Sequence, residues 1–81
     1  MLQMRQARMR KGLSLLQASD KLDVSSPTLS RIELGFNEPS TPLAVKMGRL
    51  YGVTTATVYR WYFRTVLTVR QPQRRRGVSN V

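Results

Sequence analysis

Ser26, Pro27, Thr28 and Arg31 lie close together in VSSPTLSRIELG, residues 24–35. They bring two hydroxyls, a pyrrolidine ring and a guanidinium. Hydroxyls donate or accept single hydrogen bonds, and a guanidinium fork engages two acceptors at once. That is the chemistry of recognition, not of bond-making. Bond-making would need other groups, and the chain has neither His nor Cys. Imidazole and thiolate chemistry are therefore excluded. Four carboxylates exist, Asp20, Asp23, Glu33 and Glu38, and their spacing builds no acid–base pair. No catalytic constellation is present, so the chain reads as a binding protein and not an enzyme. No metal, cofactor or small-molecule ligand is expected.

The charge states what is bound. Fourteen Lys and Arg against four Asp and Glu give +10 and a pI near 11.6. A balance this lopsided points to a polyanion, since solubility alone rarely needs it. A membrane surface is also anionic, but there is no long apolar run and no signal-peptide pattern. No membrane partner is expected. The expected compartment is the cytoplasm, with nucleoid association where the polyanion is DNA. With 81 residues, one domain is expected.

The elements that position these residues follow from local pattern. MLQMRQARMRK, residues 1–11, reads as a first helix, with Met1, Met4, Ala7 and Arg8 on one side and Arg5 and Lys11 facing elsewhere. Gly12 ends it. A second helix, residues 15–22, starts at Ser14, with Gln17 completing a capping box and Leu13 and Ala18 a staple. Asp23 takes the turn, because Asp tolerates a left-handed backbone. The third helix, residues 26–34, is capped by Ser25 through the amide of Thr28. Pro27 is harmless in its first turn, where the amides have no intrahelical acceptor. Leu29, Ile32 and Glu33 then face inward, Ser26, Pro27, Thr28 and Arg31 face outward, and Gly35 closes the helix.

Thr41 and Pro42 open a fourth helix, residues 42–50, whose core face is Ala44, Met47, Gly48 and Tyr51. Gly48 marks a close-packing point. Thr54 or Thr55 caps a fifth helix that turns Val58 and Tyr59 inward. YRWYFRTVLTVR fits two patterns. As a helix it places Arg60 and Arg64 on one face. As a strand it alternates Trp61, Phe63, Thr65, Leu67 and Val69 with their neighbours. Residues 65–69 are β-branched apart from Leu67, which favours helix to about Phe63 and an extended continuation. The division expected is a polyanion-binding domain over 1–64, a dimerisation segment over 65–70 and a basic flexible tail over 71–81.

Helices 15–22 and 26–34, three residues apart, have helix-turn-helix spacing. Such a unit puts the tip of its second helix into the major groove. Ser26 and Thr28 suit base edges, Pro27 and the Thr28 methyl suit a thymine methyl, and Arg31 suits guanine O6 and N7.

ARMRKGLSLLQASDKLDVSSPTLSRIELGFNEPS also resembles the phage repressor and Cro type of helix-turn-helix family. The matching features are Arg8, Gly12, Leu13 and Ser14; residues 21–35; Pro39; and YGV before the fifth helix. The resemblance implies that Ser26, Pro27, Thr28 and Arg31 occupy base-facing positions. It places phosphate contacts at Ser14 and Leu15, through the amides opening the second helix, and at Ser25, Ser30 and Asn37. It also implies an internal ion pair between Arg8 and Glu33. Departures from the family pattern are Leu15 for a phosphate-binding Gln, Asp23 for the turn Gly, Ser19 for a small apolar residue, and Ser26 and Pro27 for longer amide side chains.

The expected molecule is an all-α, five-helix repressor-like domain that binds double-stranded DNA. It regulates transcription from a pseudo-palindromic operator as a Cro-like or minimal repressor of phage or prokaryotic type. Trp61, Tyr62, Phe63, Val66, Leu67 and Val69 follow a core already closed near Val58 and Tyr59, and are expected to form a homodimer interface. The alternatives are an antitoxin whose C-terminal segment covers a protein toxin, and a nucleic-acid chaperone driven by charge.

Overall fold

Four hydroxyls set the starts of four helices. Ser14, Ser25, Ser40 and Thr54 each accept from the amide three residues on, at 3.0, 3.2, 3.3 and 3.1 Å. Each satisfies an amide the helix leaves without an acceptor. The structure, a computed structural model, describes residues 2–70. After α1 (Gln3–Arg10) come α2 (Leu15–Leu22), α3 (Ser26–Glu33), α4 (Thr41–Tyr51) and α5 (Thr55–Thr65). Among the described residues there is no strand, and no helix is long and apolar enough to cross a membrane. The all-α, five-helix architecture is as expected.

Local signals explain the connections. Ser14 and Gln17 form the full capping box at the start of α2. Asp23 turns left-handed at φ 60°, which folds α3 back over α2. The cap of α4 differs from expectation: Ser40 caps, and Thr41 and Pro42 occupy the first turn. Both hydroxyls precede the proline, and Pro is tolerated at either early position.

The core is Met4 and Ala7 of α1, Ala18 and Leu22 of α2, Leu29 and Ile32 of α3, Ala44, Met47 and Tyr51 of α4, and Val58 and Tyr62 of α5. α5 packs on α4, α1 and α3, so it closes the domain. Gly48 allows the α4–α5 turn to approach: a Cβ there would stand 2.7 Å from the Val53 carbonyl oxygen.

The extended continuation after Phe63 is corrected. The chain stays helical to Thr65 and continues as a π-helical turn over Val66–Arg70. A strand needs a partner to pair its backbone, and the described residues offer none. Instead the Val66 amide bonds back to Tyr62 and Phe63 carbonyls. Thr65, 1 % exposed, packs against Gly35. Packing here overrides β-branched propensity. Met1 and the basic tail expected over 71–81 lie outside the described residues.

Candidate nucleic-acid interface

Burial fixes the rotation of α3. Leu29, Ile32 and Glu33 are 0, 2 and 1 % exposed, so the opposite side must face out. Pro27 and Arg31 are exposed there, while Ser26, Thr28 and Ser30 are half-buried. Asp23, Val24 and Ser25 join α2 to α3. The Ser25 hydroxyl accepts the Thr28 amide and donates to Thr28 Oγ1 at 2.8 Å. Across the α2–α3 contact, Ser19 Oγ lies 3.0 Å from Ser26 Oγ and donates to the Leu16 carbonyl at 2.8 Å.

At the start of α2, the capping box engages the amides of Ser14 and Gln17. The amides of Leu15 and Leu16 remain as first-turn donors without an intrahelical acceptor. Ser14 is exposed and the Leu15 side chain is half-buried against the core, while Leu16 is the exposed one. Asn37 is exposed just beyond α3.

Behind this surface, Arg8 Nε donates to Glu33 Oε2 at 2.7 Å and Nη2 to Oε1 at 3.3 Å. Arg8 Nη1 also donates to the Leu13 carbonyl at 3.0 Å. One guanidinium thus ties α1 both to α3 and to the entry of α2. The hydrogen bond to Glu33 raises the Arg8 pKa above its usual value. Arg5, expected to face elsewhere, instead brings its Nε to 3.6 Å from Glu33 Oε1. It lies one turn before Arg8, and its long arm reaches round to the same carboxylate. Burial pushes the neighbouring Tyr51 phenol up to about 12, with the Glu33 charge adding to the effect.

The aromatic end of α5 divides. Phe63, Leu67 and Val69 are 49, 60 and 39 % exposed, while Trp61 and Val66 are half-buried against the core. Tyr62, expected in the dimer surface, is corrected: it is 5 % exposed, and its hydroxyl donates to the Gly35 carbonyl at 3.4 Å. Continuing α5 as a helix brings it one turn after Val58, on the core side. Phe63 stacks on Tyr59 at 6.3 Å and meets Tyr62 edge-on at 5.4 Å. Sequence reasoning also missed exposed Phe36 and the Ser19–Ser26 contact. Neither has a signal in spacing, because both depend on how helices meet.

The family described as Helix-turn-helix matches residues 4–58, more than half of the chain. The chain belongs to the phage repressor and Cro type of helix-turn-helix family. Comparisons with curated proteins and with solved structures find no match. As a helix-turn-helix protein it is a DNA-binding transcriptional regulator. The match spans α1 to the first turn of α5 and stops before the aromatic segment.

Proposed function

We propose that this helix-turn-helix protein reads a pseudo-palindromic operator as a homodimer, in the manner of a Cro or a minimal repressor. The observation that carries the reading is the outward tip of α3, held there by the burial of Leu29, Ile32 and Glu33. Arg31 reads a guanine through O6 and N7, and Pro27 and the Thr28 methyl contact thymine. Ser26 and Thr28 add hydrogen bonds at base edges. The Ser14 hydroxyl and the first-turn amide of Leu15, with Ser25, Ser30 and Asn37, set the register on phosphates. Arg8 and Glu33 hold α3 in position from inside.

One short helix discriminates little, so a second copy is needed to read a long site. The exposed Phe63, Leu67 and Val69, flanked by Trp61 and Val66, supply the contact. An apolar stripe in a chain of net charge +10 also suits a toxin, which is the antitoxin reading. Sedimentation of the purified chain separates the two. A dimer without any partner supports the operator reading. A monomer that assembles only with a copurifying protein supports the antitoxin. Competition of the preferred duplex against bulk DNA tests the sequence-specific claim, and equal affinity for both would leave only charge-driven binding.

A further inference from the structure

Ser19 and Ser26 face each other across the α2–α3 contact, Oγ to Oγ, at 3.0 Å. A hydroxyl has one proton to give and two sites at which to accept. Ser19 is 1 % exposed, and its proton goes to the Leu16 carbonyl at 2.8 Å. The hydrogen between the two serines must therefore come from Ser26. The protons run one way, from Ser26 to Ser19 to Leu16, and Ser26 keeps only acceptor sites. Thr28 has the opposite polarity. Its Oγ1 accepts the Ser25 proton at 2.8 Å, and neither contact with Ser25 uses its own proton.

We propose that Ser19 determines specificity without touching DNA: by taking the proton of Ser26 it makes Ser26 an acceptor that selects an amino base over a keto base. This rests on the seating of α3 in the major groove proposed above. There, adenine N6 and cytosine N4 donate, whereas guanine O6 and thymine O4 accept. An acceptor-only oxygen bonds the first pair and meets lone pairs on the second. Thr28, with a proton to give, suits the keto bases or a purine N7. The tip of α3 therefore carries an ordered acceptor–donor pair from two side chains that look alike in sequence. Leaving a buried partner unmet costs more than the bond gains, which is what turns polarity into discrimination.

The test is selection of bound fragments from random duplex DNA by the wild type, Ser26→Ala and Ser19→Ala. Ala at position 19 deletes one oxygen from a helical site where Ala is a better helix former, so the fold survives. Every base pair offers one amino and one keto group, so the wild type should fix which strand carries the adenine or cytosine at one position of each half-site. Ser26→Ala should lose the preference at that position, with affinity for the wild-type site falling about two- to tenfold. Ser19→Ala frees the Ser26 proton, so amino and keto bases should be accepted alike at that position and nowhere else. A second measurement needs no variant of Ser19. Replacing the selected base by an analogue without the exocyclic amine should cost the wild type about two- to tenfold and Ser26→Ala nothing. An unchanged strand preference in Ser19→Ala, or an analogue without effect, would overturn the proposal. If the wild type selects no sequence at all, the groove seating itself fails, an outcome distinct from a selected site that ignores Ser19.

Discussion

Arg31 is exposed on the outer face of α3, and its guanidinium makes no ion pair among the described residues. As a guanine reader, Arg31→Ala should cost about 1–3 kcal/mol on the preferred duplex and much less on random DNA. Titration of both duplexes checks it, and equal losses would move Arg31 to the phosphate contacts. Arg8 acts from inside. Its partner Glu33 is 1 % exposed, so removing Arg8 strands a buried carboxylate with Arg5, at 3.6 Å, as its remaining cation among the described residues. Arg8→Met should lower stability by about 3–5 kcal/mol. A double-mutant cycle with Glu33→Gln, followed by urea unfolding, should show coupling above about 0.5 kcal/mol, and additive effects would contradict the pair. Tyr51 gives a pH signature. Below its ordinary value of 10 the phenol is neutral in both folded and unfolded chains, and the stability it gains from burial is fully present. From 10 to about 12 the unfolded chain loses the proton and the folded chain keeps it, so stability falls as pH rises. The Tyr51 hydroxyl is buried with no hydrogen-bond partner among the described residues, so Tyr51→Phe should fold well. Its urea midpoint should decline less than that of the wild type across this interval. At this scale the sequence exposed residue types and spacing. Family resemblance suggested Arg8 and Glu33 together, but Arg5 and Ser19 find their partners only through the distance between helices.

At the scale of elements, helix starts were legible because caps are local. Ser14 and Ser25 each meet an amide three residues away, a pattern that chain spacing alone reveals. Ser25 caps the element that carries the proposed base readers. Ser25→Ala should cost about 1 kcal/mol of stability, and a thermal unfolding series would show it. Gly48 is the reverse of a helix-propensity effect. Ala there would gain up to about 1 kcal/mol as a better helix former. Its Cβ, however, would stand 2.7 Å from the Val53 carbonyl oxygen, which is backbone and cannot swing away. Overpacking of this kind costs about 1–3 kcal/mol, so Gly48→Ala should lower the Tm. A raised Tm would mean the α4–α5 turn moves freely. The end of α5 was not legible. Its β-branched run favours a strand locally, but Thr65 lies against Gly35, thirty residues earlier in the chain, and Tyr62 reaches the same glycine. No local pattern reports a contact made at that separation.

For the whole molecule, the proposed mode of DNA binding rests on the charge and on the exposed end of α5. Deleting residues 71–81 removes Arg74, Arg75 and Arg76. If these neutralise phosphates, the slope of log affinity against log salt should fall by up to about 3 with site preference unchanged. An unaltered slope would leave the tail outside the interface. Phe63→Ser with Leu67→Asp should leave the domain folded but mainly monomeric, because both side chains are exposed at 49 and 60 %. Operator affinity should then drop to that of a single domain. The most direct measurement is selection of sequences bound by the full chain from random duplex DNA. The enriched sites should be inverted repeats whose half-site centres lie about one helical turn apart, roughly 34–36 Å along the duplex. Bound fragments with no shared sequence would contradict base reading by α3, whatever their affinity.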